Sequence, residues 1–316
     1  MDQKVLENRQ HWTGPKPYPT ALNSDNFQIV RNKGRKFKFN NILIQEWNHN
    51  KKDVVLYIHG FPGCADQAQL LTDSPLIDHF RLMAIDRPGY GSSVYQPQLT
   101  PMKLAKQLKE ILDVLHIEKI RLLSVSGGAP YTFALADLLQ KQVLKVSSVG
   151  GIAPLEKDNF KHMNIQQKKA YLMSRMVPTQ AARILMNRYW KKGIEEIDKL
   201  VFTGFENFSE PDRAAFLHPE VAPVLIETLK IALKQGPHGV LHDMKTFSKS
   251  WGFHLDQIKC PVTLWHGSSD DVVNVQFAHE MKRKIPHAVM KIKKGEGHYS
   301  IAMNYRDQIL SDLLKN

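Results

Sequence analysis

Short, nearly unbroken apolar runs recur along this chain. They are VVLYIH (Val54–His59), RLMAID (Arg81–Asp86), IRLLSV (Ile120–Val125), VLKVSSVGGI (Val143–Ile152), PVTLWHG (Pro261–Gly267) and AVMKIKKG (Ala288–Gly295). Runs of this length without polar alternation predict strands buried on both faces. Helical periodicity separates most of them, over Met102–Leu115, Ala129–Gln140 and Gln276–Ile285. A last helix, from Tyr299 to Leu314, closes the chain. Strand–helix alternation of this kind predicts an α/β fold: a mostly parallel, doubly wound sheet with helices on both faces.

Two regions depart from the alternation. Before Asp53, Pro15, Pro17 and Pro19 predict an extended arm. FQIV and RKFKF then read as a hairpin turned at Asn32-Lys33-Gly34, with ILIQEW as a further strand. Between about Glu156 and Ser250 the pattern is almost wholly helical, as in AARILMNRYW and VAPVLIETLKIALKQG. Ser209-Glu-Pro-Asp there reads as a helix start, with Ser209 as N-cap and acids near the positive end. A helical block between two strands of one sheet predicts a lid. The expected organisation is a core over 1–155, a helical lid insertion over 156–250 and the rest of the core over 251–316.

Composition narrows the class. Of the 316 residues, 42% are hydrophobic, enough for a sizeable core. No apolar run approaches the roughly 20 residues of a membrane span. The first residues lack the apolar segment of a secretory signal, so a soluble, cytoplasmic protein without stable membrane insertion is expected. Two cysteines, Cys64 and Cys260, make no disulfide framework. The formal net charge is +12. Lysines and arginines such as Lys33, Arg35, Lys36, Lys38, Lys106, Lys109, Lys168, Lys169, Lys191 and Lys192 are spread along the chain, with no zinc-finger spacing or RNA-reading motif. A solvated basic surface, and no nucleic-acid partner, is the reading.

Ligands of open parallel sheets bind at the carboxyl ends of the strands. After the runs come His59-Gly60-Phe61-Pro62-Gly63, Asp86-Arg87-Pro88-Gly89-Tyr90-Gly91, Ser126-Gly127-Gly128, Gly267-Ser268-Ser269-Asp270 and Gly295-Glu296-Gly297-His298. A serine, an acid and a histidine thus stand at strand ends in the order Ser…Asp…His. A nucleophile on a sharp strand-to-helix turn needs small residues two before and two after it. With Ser124 at the tip, the neighbour two before would be Leu122, which is too bulky. With Ser126 at the tip, they are Ser124 and Gly128. Ser126 is therefore the candidate nucleophile, and the Gly127 N–H the candidate oxyanion donor. His298 is the candidate base and Asp270 its orienting acid, with Asp271 as competitor. The Phe61 N–H is the second oxyanion candidate.

HGFPG, DRPGYGSS, SVSGG, HGSSD and GEGH, in this order, resemble the α/β-hydrolase fold. The resemblance covers nearly the whole chain after Phe27 except the lid. It implies a Ser126–Asp270–His298 triad and an oxyanion hole from Phe61 and Gly127. The expected activity is cleavage of a small ester or related acyl substrate through an acyl-enzyme, with no cofactor and no metal. An aminopeptidase, with Glu206 or Glu210 holding a free amine, a carbon–carbon bond hydrolase and a non-catalytic binding protein are the alternatives.

Other residues have quieter readings. His59, Asp86 and Arg87 are expected to brace loops. His238 and His242 lack a third ligand at metal-site spacing. Met163, Met173, Met176 and Met186 either line an acyl pocket or pack helices. Trp251-Gly252-Phe253 reads either as the hinge where the lid rejoins the core or as a simple packed turn.

Overall fold

The computed structural model describes residues 34–155, 160–163, 165–177 and 179–315. Its first element is a hairpin of β1 (Arg35–Phe39) and β2 (Ile42–Trp47). The turn is Asn40–Asn41, with φ of 45° and 65°. Two successive left-handed residues match the twist of paired strands, and asparagine tolerates that conformation. RKFKF therefore pairs forward onto ILIQEW. The expected arm, the strand at FQIV and most of the turn at Asn32-Lys33-Gly34 lie outside the described residues.

All six apolar runs form strands: β3 (Val54–Ile58), β4 (Arg81–Ile85), β5 (Ile120–Val125), β6 (Val143–Val149), β7 (Val262–Gly267) and β8 (Val289–Lys293). They join the hairpin in one eight-stranded sheet, ordered β1-β2-β4-β3-β5-β6-β7-β8. β3 to β8 run parallel, and β2 attaches antiparallel to β4. The chain winds outward from β3 on one side and from β5 on the other. The crevice between these two strands is thus a topological switch point, where such sheets bind ligands.

Helices α1 (Pro101–Val114) and α2 (Ala129–Leu138) follow β4 and β5. Thr100 caps α1 by accepting from the Lys103 N–H. Between β6 and β7 come α3 (Ile165–Met176), α4 (Thr179–Glu195), α5 (Ile197–Phe205), α6 (Glu210–Phe216), α7 (Ala222–Leu233) and α8 (His238–Phe247). α9 (Gln276–Lys284) follows β7. The expected single last helix is two, α10 (Ser300–Asn304) and α11 (Arg306–Leu314), because Tyr305 leaves helical geometry at φ −109°, ψ 11°.

Side chains alternate across the sheet, so each strand feeds two cores. Leu56, Leu122 and Leu264 pack with Leu104 and Leu108 of α1, Phe133 of α2 and Phe277 of α9. Val55, Tyr57 and Leu123 pack on the other face with Leu310 and Leu313 of α11 and with Ala65 and Ala68 of a 3₁₀ segment, Ala65–Leu71. The sheet is therefore doubly wound. The inserted helices cover the carboxyl ends of the strands, and a third apolar cluster, including Phe205, Phe216 and Leu225, joins them to Leu70 of the core.

Candidate active site

β5 ends in a tight turn, Ser126–Gly128, that leads straight into α2. Ser126 has φ 50°, a left-handed conformation. For a residue other than glycine this costs of order 1–3 kcal/mol, and it lifts the side chain out of the strand. A Cβ on Gly128 would lie 2.5 Å from the Ile58 carbonyl oxygen, so α2 and β3 approach too closely there for any side chain. Ser124 sits inside the sheet, level with Ile58 of β3 and Ser148 of β6. It is fully buried, and its Oγ has no hydrogen-bond partner. Ser126 is half-buried and borders a cavity. The two serines are thus separated by burial as well as by sterics.

His298 borders the same cavity. Its Nδ1 lies 2.7 Å from Asp270 Oδ2. Asp270 Oδ1 accepts the N–H groups of Val272 and Val273 at 2.9 and 2.6 Å. His266 Nε2 approaches Asp270 Oδ2 at 3.2 Å. Burial opposes ionisation of Asp270, but His298 and His266 outweigh it and hold the carboxyl below the usual carboxylate range. Asp271, the competing acid, is exposed. With Nδ1–H donated to Asp270, the Nε2 lone pair of His298 is left to take a proton.

The segment carrying His298 is held from the insertion. Asp212 of α6 is fully buried, and its carboxylate accepts the N–H groups of His298, Tyr299 and Ser300 at 2.7, 2.8 and 2.9 Å. A Cβ on Gly297 would collide with that carboxylate, which explains the glycine before His298. Sequence reading had no means of finding this role, since the partners are 86 to 88 residues apart. It expected the acids after Ser209 to serve their own helix. Instead Ser209 makes no cap hydrogen bond, and Asp212 serves α10.

The loop after β3 is fixed with equal care. The Gly60 carbonyl receives Arg87 Nη2 at 2.9 Å and His59 Nδ1 at 2.8 Å. His59 Nε2 accepts the Arg87 N–H at 3.1 Å, which assigns the Nδ1–H tautomer. Burial, reinforced by Arg87, lowers the His59 pKa well below its ordinary value, so the ring is neutral. A trans peptide points its N–H opposite its C=O. Holding the Gly60 oxygen therefore also fixes the direction of the Phe61 N–H. On the other side of the crevice, a Cβ on Gly127 would lie 2.7 Å from Phe61 Cβ, so the two candidate oxyanion donors are close neighbours.

Arg87 itself is buried, and its Nη1 lies 2.6 Å from both carboxylate oxygens of Asp243 on α8. The hydroxyls of Tyr90 and Tyr131 donate to the same carboxylate at 2.8 and 2.7 Å. A buried pair is costly to break from one side only, because that leaves an uncompensated buried charge. The expected bracing role of His59 and Arg87 is thus realised, with Asp243 as the unforeseen counter-ion. Asp86 accepts the N–H groups of Ala65 and Ser92 at 2.8 and 2.7 Å and braces the adjoining loops.

The cavity has a volume of about 780 Å³. Around Ser126 and His298 its walls are nearly all apolar, including Val149, Met186, Trp190, Ile197, Phe205 and Leu225. Among the described residues that line it there is no Asp or Glu. Glu206 and Glu210, the acids that an amine-binding site would need, are exposed and border no part of it.

A family model described as the alpha/beta hydrolase fold matches residues 53–184. An esterase from Thermogutta terrifontis superposes with a TM-score of 0.62 at 19% identity, over 89% of this chain and 98% of that one. A bromoperoxidase from Bacillus anthracis gives 0.64 at 19% identity, over 87% and 95%. The chain has the α/β-hydrolase fold. Among curated proteins it is 22% identical over 301 residues to the probable lysophospholipase BODYGUARD 2 of Arabidopsis thaliana, covering 86% of this chain and 60% of that protein. It is 27% identical over 117 residues to esterase YbfF of Escherichia coli strain K12, covering 37% and 45%. The chain thus spans about 60% of the length of its first curated relative.

Within the α/β-hydrolase fold the remaining candidates take structural places. Cys64 is buried and does not line the cavity, and burial together with Asp86 and Asp66 raises its thiol pKa well above the ordinary value. His238 and His242 pack against the ring of Tyr95. No cluster of three or more His, Cys, Asp or Glu suited to a metal exists among the described residues. Of the four methionines, Met186 lines the cavity, Met163 is in the core, and Met173 and Met176 are exposed on α3. Trp251 is buried, and Gly252 turns with φ 80°. No described helix is long and apolar enough to cross a membrane.

Proposed function

We propose that this protein is a serine hydrolase that cleaves carboxylic esters through an acyl-enzyme on Ser126. The observation that carries the reading is the His298–Asp270 hydrogen bond at the wall of the cavity bordered by Ser126, itself held on a left-handed elbow. His298 Nε2 takes the Ser126 proton as Oγ attacks the acyl carbon. Asp270 keeps the tautomer and favours the imidazolium that forms. The N–H groups of Phe61 and Gly127 receive the oxyanion, and α2 adds the positive end of its dipole. His298 then protonates the departing alkoxide. Water repeats the cycle on the acyl-enzyme and frees Ser126.

Residues 156–250 act in this reading as a lid that supplies about half of the cavity wall. The naming of curated and structural relatives as esterases and a probable lysophospholipase supports ester chemistry. The lining without carboxylates disfavours an aminopeptidase, which needs an anion for its substrate's amine.

The direct test is labelling by a fluorophosphonate alongside hydrolysis of p-nitrophenyl esters. Ser126→Ala is expected to lose labelling and at least about 10³-fold in kcat. Ser124→Ala is expected to keep both and to hold or raise the melting temperature, since it removes a buried hydroxyl that lacks a partner. Labelling that persists in Ser126→Ala would refute the assignment.

A further inference from the structure

The basic residues are spread along the chain, but one segment holds them without acids. Between residues 160 and 194 the chain holds eight Lys and Arg and no Asp or Glu. Nearly all of that stretch is α3 and α4. On α3, Ile165, Lys169, Leu172, Met173 and Met176 recur at three- and four-residue spacing and are all exposed. On α4, Ile184, Leu185, Arg188, Lys191 and Lys192 do the same. Met176 is 80% exposed, Ile184 68% and Leu185 66%. Large apolar side chains at such exposure, interleaved with one sign of charge, mark an interaction surface. Lys191 and Lys192 stand 4.0 Å from Glu195 and Glu196, but exposed pairs of this length neutralise little. The surface is continuous with the cavity: Leu185 is exposed and also lines it, and Met186 and Trp190 continue its wall.

We propose that the outer faces of α3 and α4 dock on an anionic lipid bilayer, with the cavity rim against the membrane. The arrangement fits interfacial helices, whose apolar side chains enter the headgroup region while Lys and Arg meet anionic lipid. A second copy of the chain is a poor occupant, because two such faces would place like charges opposite each other. A nucleic acid would satisfy the charge but leave Leu172, Met173 and Met176 without a partner. Docking needs no membrane span and adds an entry route for acyl chains to the cavity. It does not depend on Ser126 being reactive.

The test uses the full chain carrying Ser126→Ala, so that lipid stays intact, in sedimentation with two vesicle types. One is phosphatidylcholine alone, and the other contains roughly one third phosphatidylserine. Binding is expected to be at least tenfold tighter on the mixed vesicles and to vanish in about 1 M salt. Replacing Lys168, Lys169, Lys191 and Lys192 together by Gln is expected to weaken it at least a hundredfold, at about fivefold per basic residue. The triple change Leu172→Ser, Met173→Ser, Met176→Ser is expected to weaken it at least tenfold. These positions are exposed or half-buried, so both variants should keep their melting temperature, which is measured alongside. Equal binding to both vesicle types, no binding to either, or undiminished binding by both variants overturns the proposal. So does binding confined to duplex DNA, or a dimer that the triple change dissolves without any vesicle association. Turnover of water-soluble esters by the unmodified chain is read separately, so failure of docking and failure of the hydrolase reading are distinguishable.

Discussion

His298 stands between opposed influences. Burial disfavours its charged form, while the Asp270 carboxylate, with Asp212 behind it, favours that form. The carboxylates prevail, and the pKa lies above the ordinary histidine value. In the proposed reaction only the neutral ring can accept the Ser126 proton. Hence kcat/KM should rise with pH through a midpoint above that of a free histidine and level off on the alkaline side. Asp270→Asn removes the dominant attraction and leaves the burial, so the midpoint should move to lower pH. At the same time kcat should fall by about 10⁴, because the amide no longer enforces the Nδ1–H tautomer. Profiles of kcat/KM against pH for both proteins read the two effects together. An unmoved or raised midpoint in the variant would argue against Asp270 as the partner that sets the ring's charge.

Among the elements, α6 and α8 differ from the rest of the insertion, because each sends one buried carboxylate into the core. Asp243 of α8 holds Arg87 and through it the Gly60 peptide, and Asp212 of α6 holds the backbone of His298. Asp212→Ala leaves the buried Ser300 N–H and the part-buried N–H groups of His298 and Tyr299 without their acceptor, at up to about 1–3 kcal/mol for a fully buried unsatisfied group. The expected result is a lower melting temperature and a kcat reduced at least tenfold, with KM little changed, since the substrate walls stay in place. Thermal melts and ester kinetics on the purified variant test this; a change in KM alone would contradict it. Such pairings also mark the limit of what the sequence made legible. β3, β4, β5 and β7 could be read because burial on both faces leaves an unbroken apolar run, as in VVLYI, whereas β8 is exposed to half-buried and its run is interrupted by lysines. Ser126, Asp270 and His298 could be read because each closes a strand at the sheet's carboxyl edge. Asp212 and Asp243 could not, because a carboxylate on a helix looks the same whether it faces water or a loop 86 or 156 residues away. The turn at Asn40–Asn41, a left-handed pair without glycine, was not legible, while the expected hairpin partner FQIV lies outside the described residues.

At the scale of the whole molecule, the two halves of the fold divide the work. The sheet edge carries the candidate reacting groups, and the insertion supplies part of the apolar wall beside them. The strand ends alone suggest a small acyl substrate, because they carry the chemistry without its walls. The cavity of about 780 Å³, lined by Trp190, Phe205 and Leu225, has room for much more. Each methylene moved from water into such a space contributes roughly 0.8 kcal/mol, about a fourfold gain in kcat/KM. Across p-nitrophenyl esters of increasing acyl length, kcat/KM should climb from acetate by up to this factor per methylene, then stop where the chain meets the far wall. Leu229→Trp, which adds bulk inside the cavity, should move that stop to a shorter chain. A profile that is flat or falls from acetate onward would mean that the acyl group does not enter the cavity. The same series in Leu229→Trp distinguishes an acyl chain lying in this cavity from one that stays at the rim, because only the first would feel the added ring.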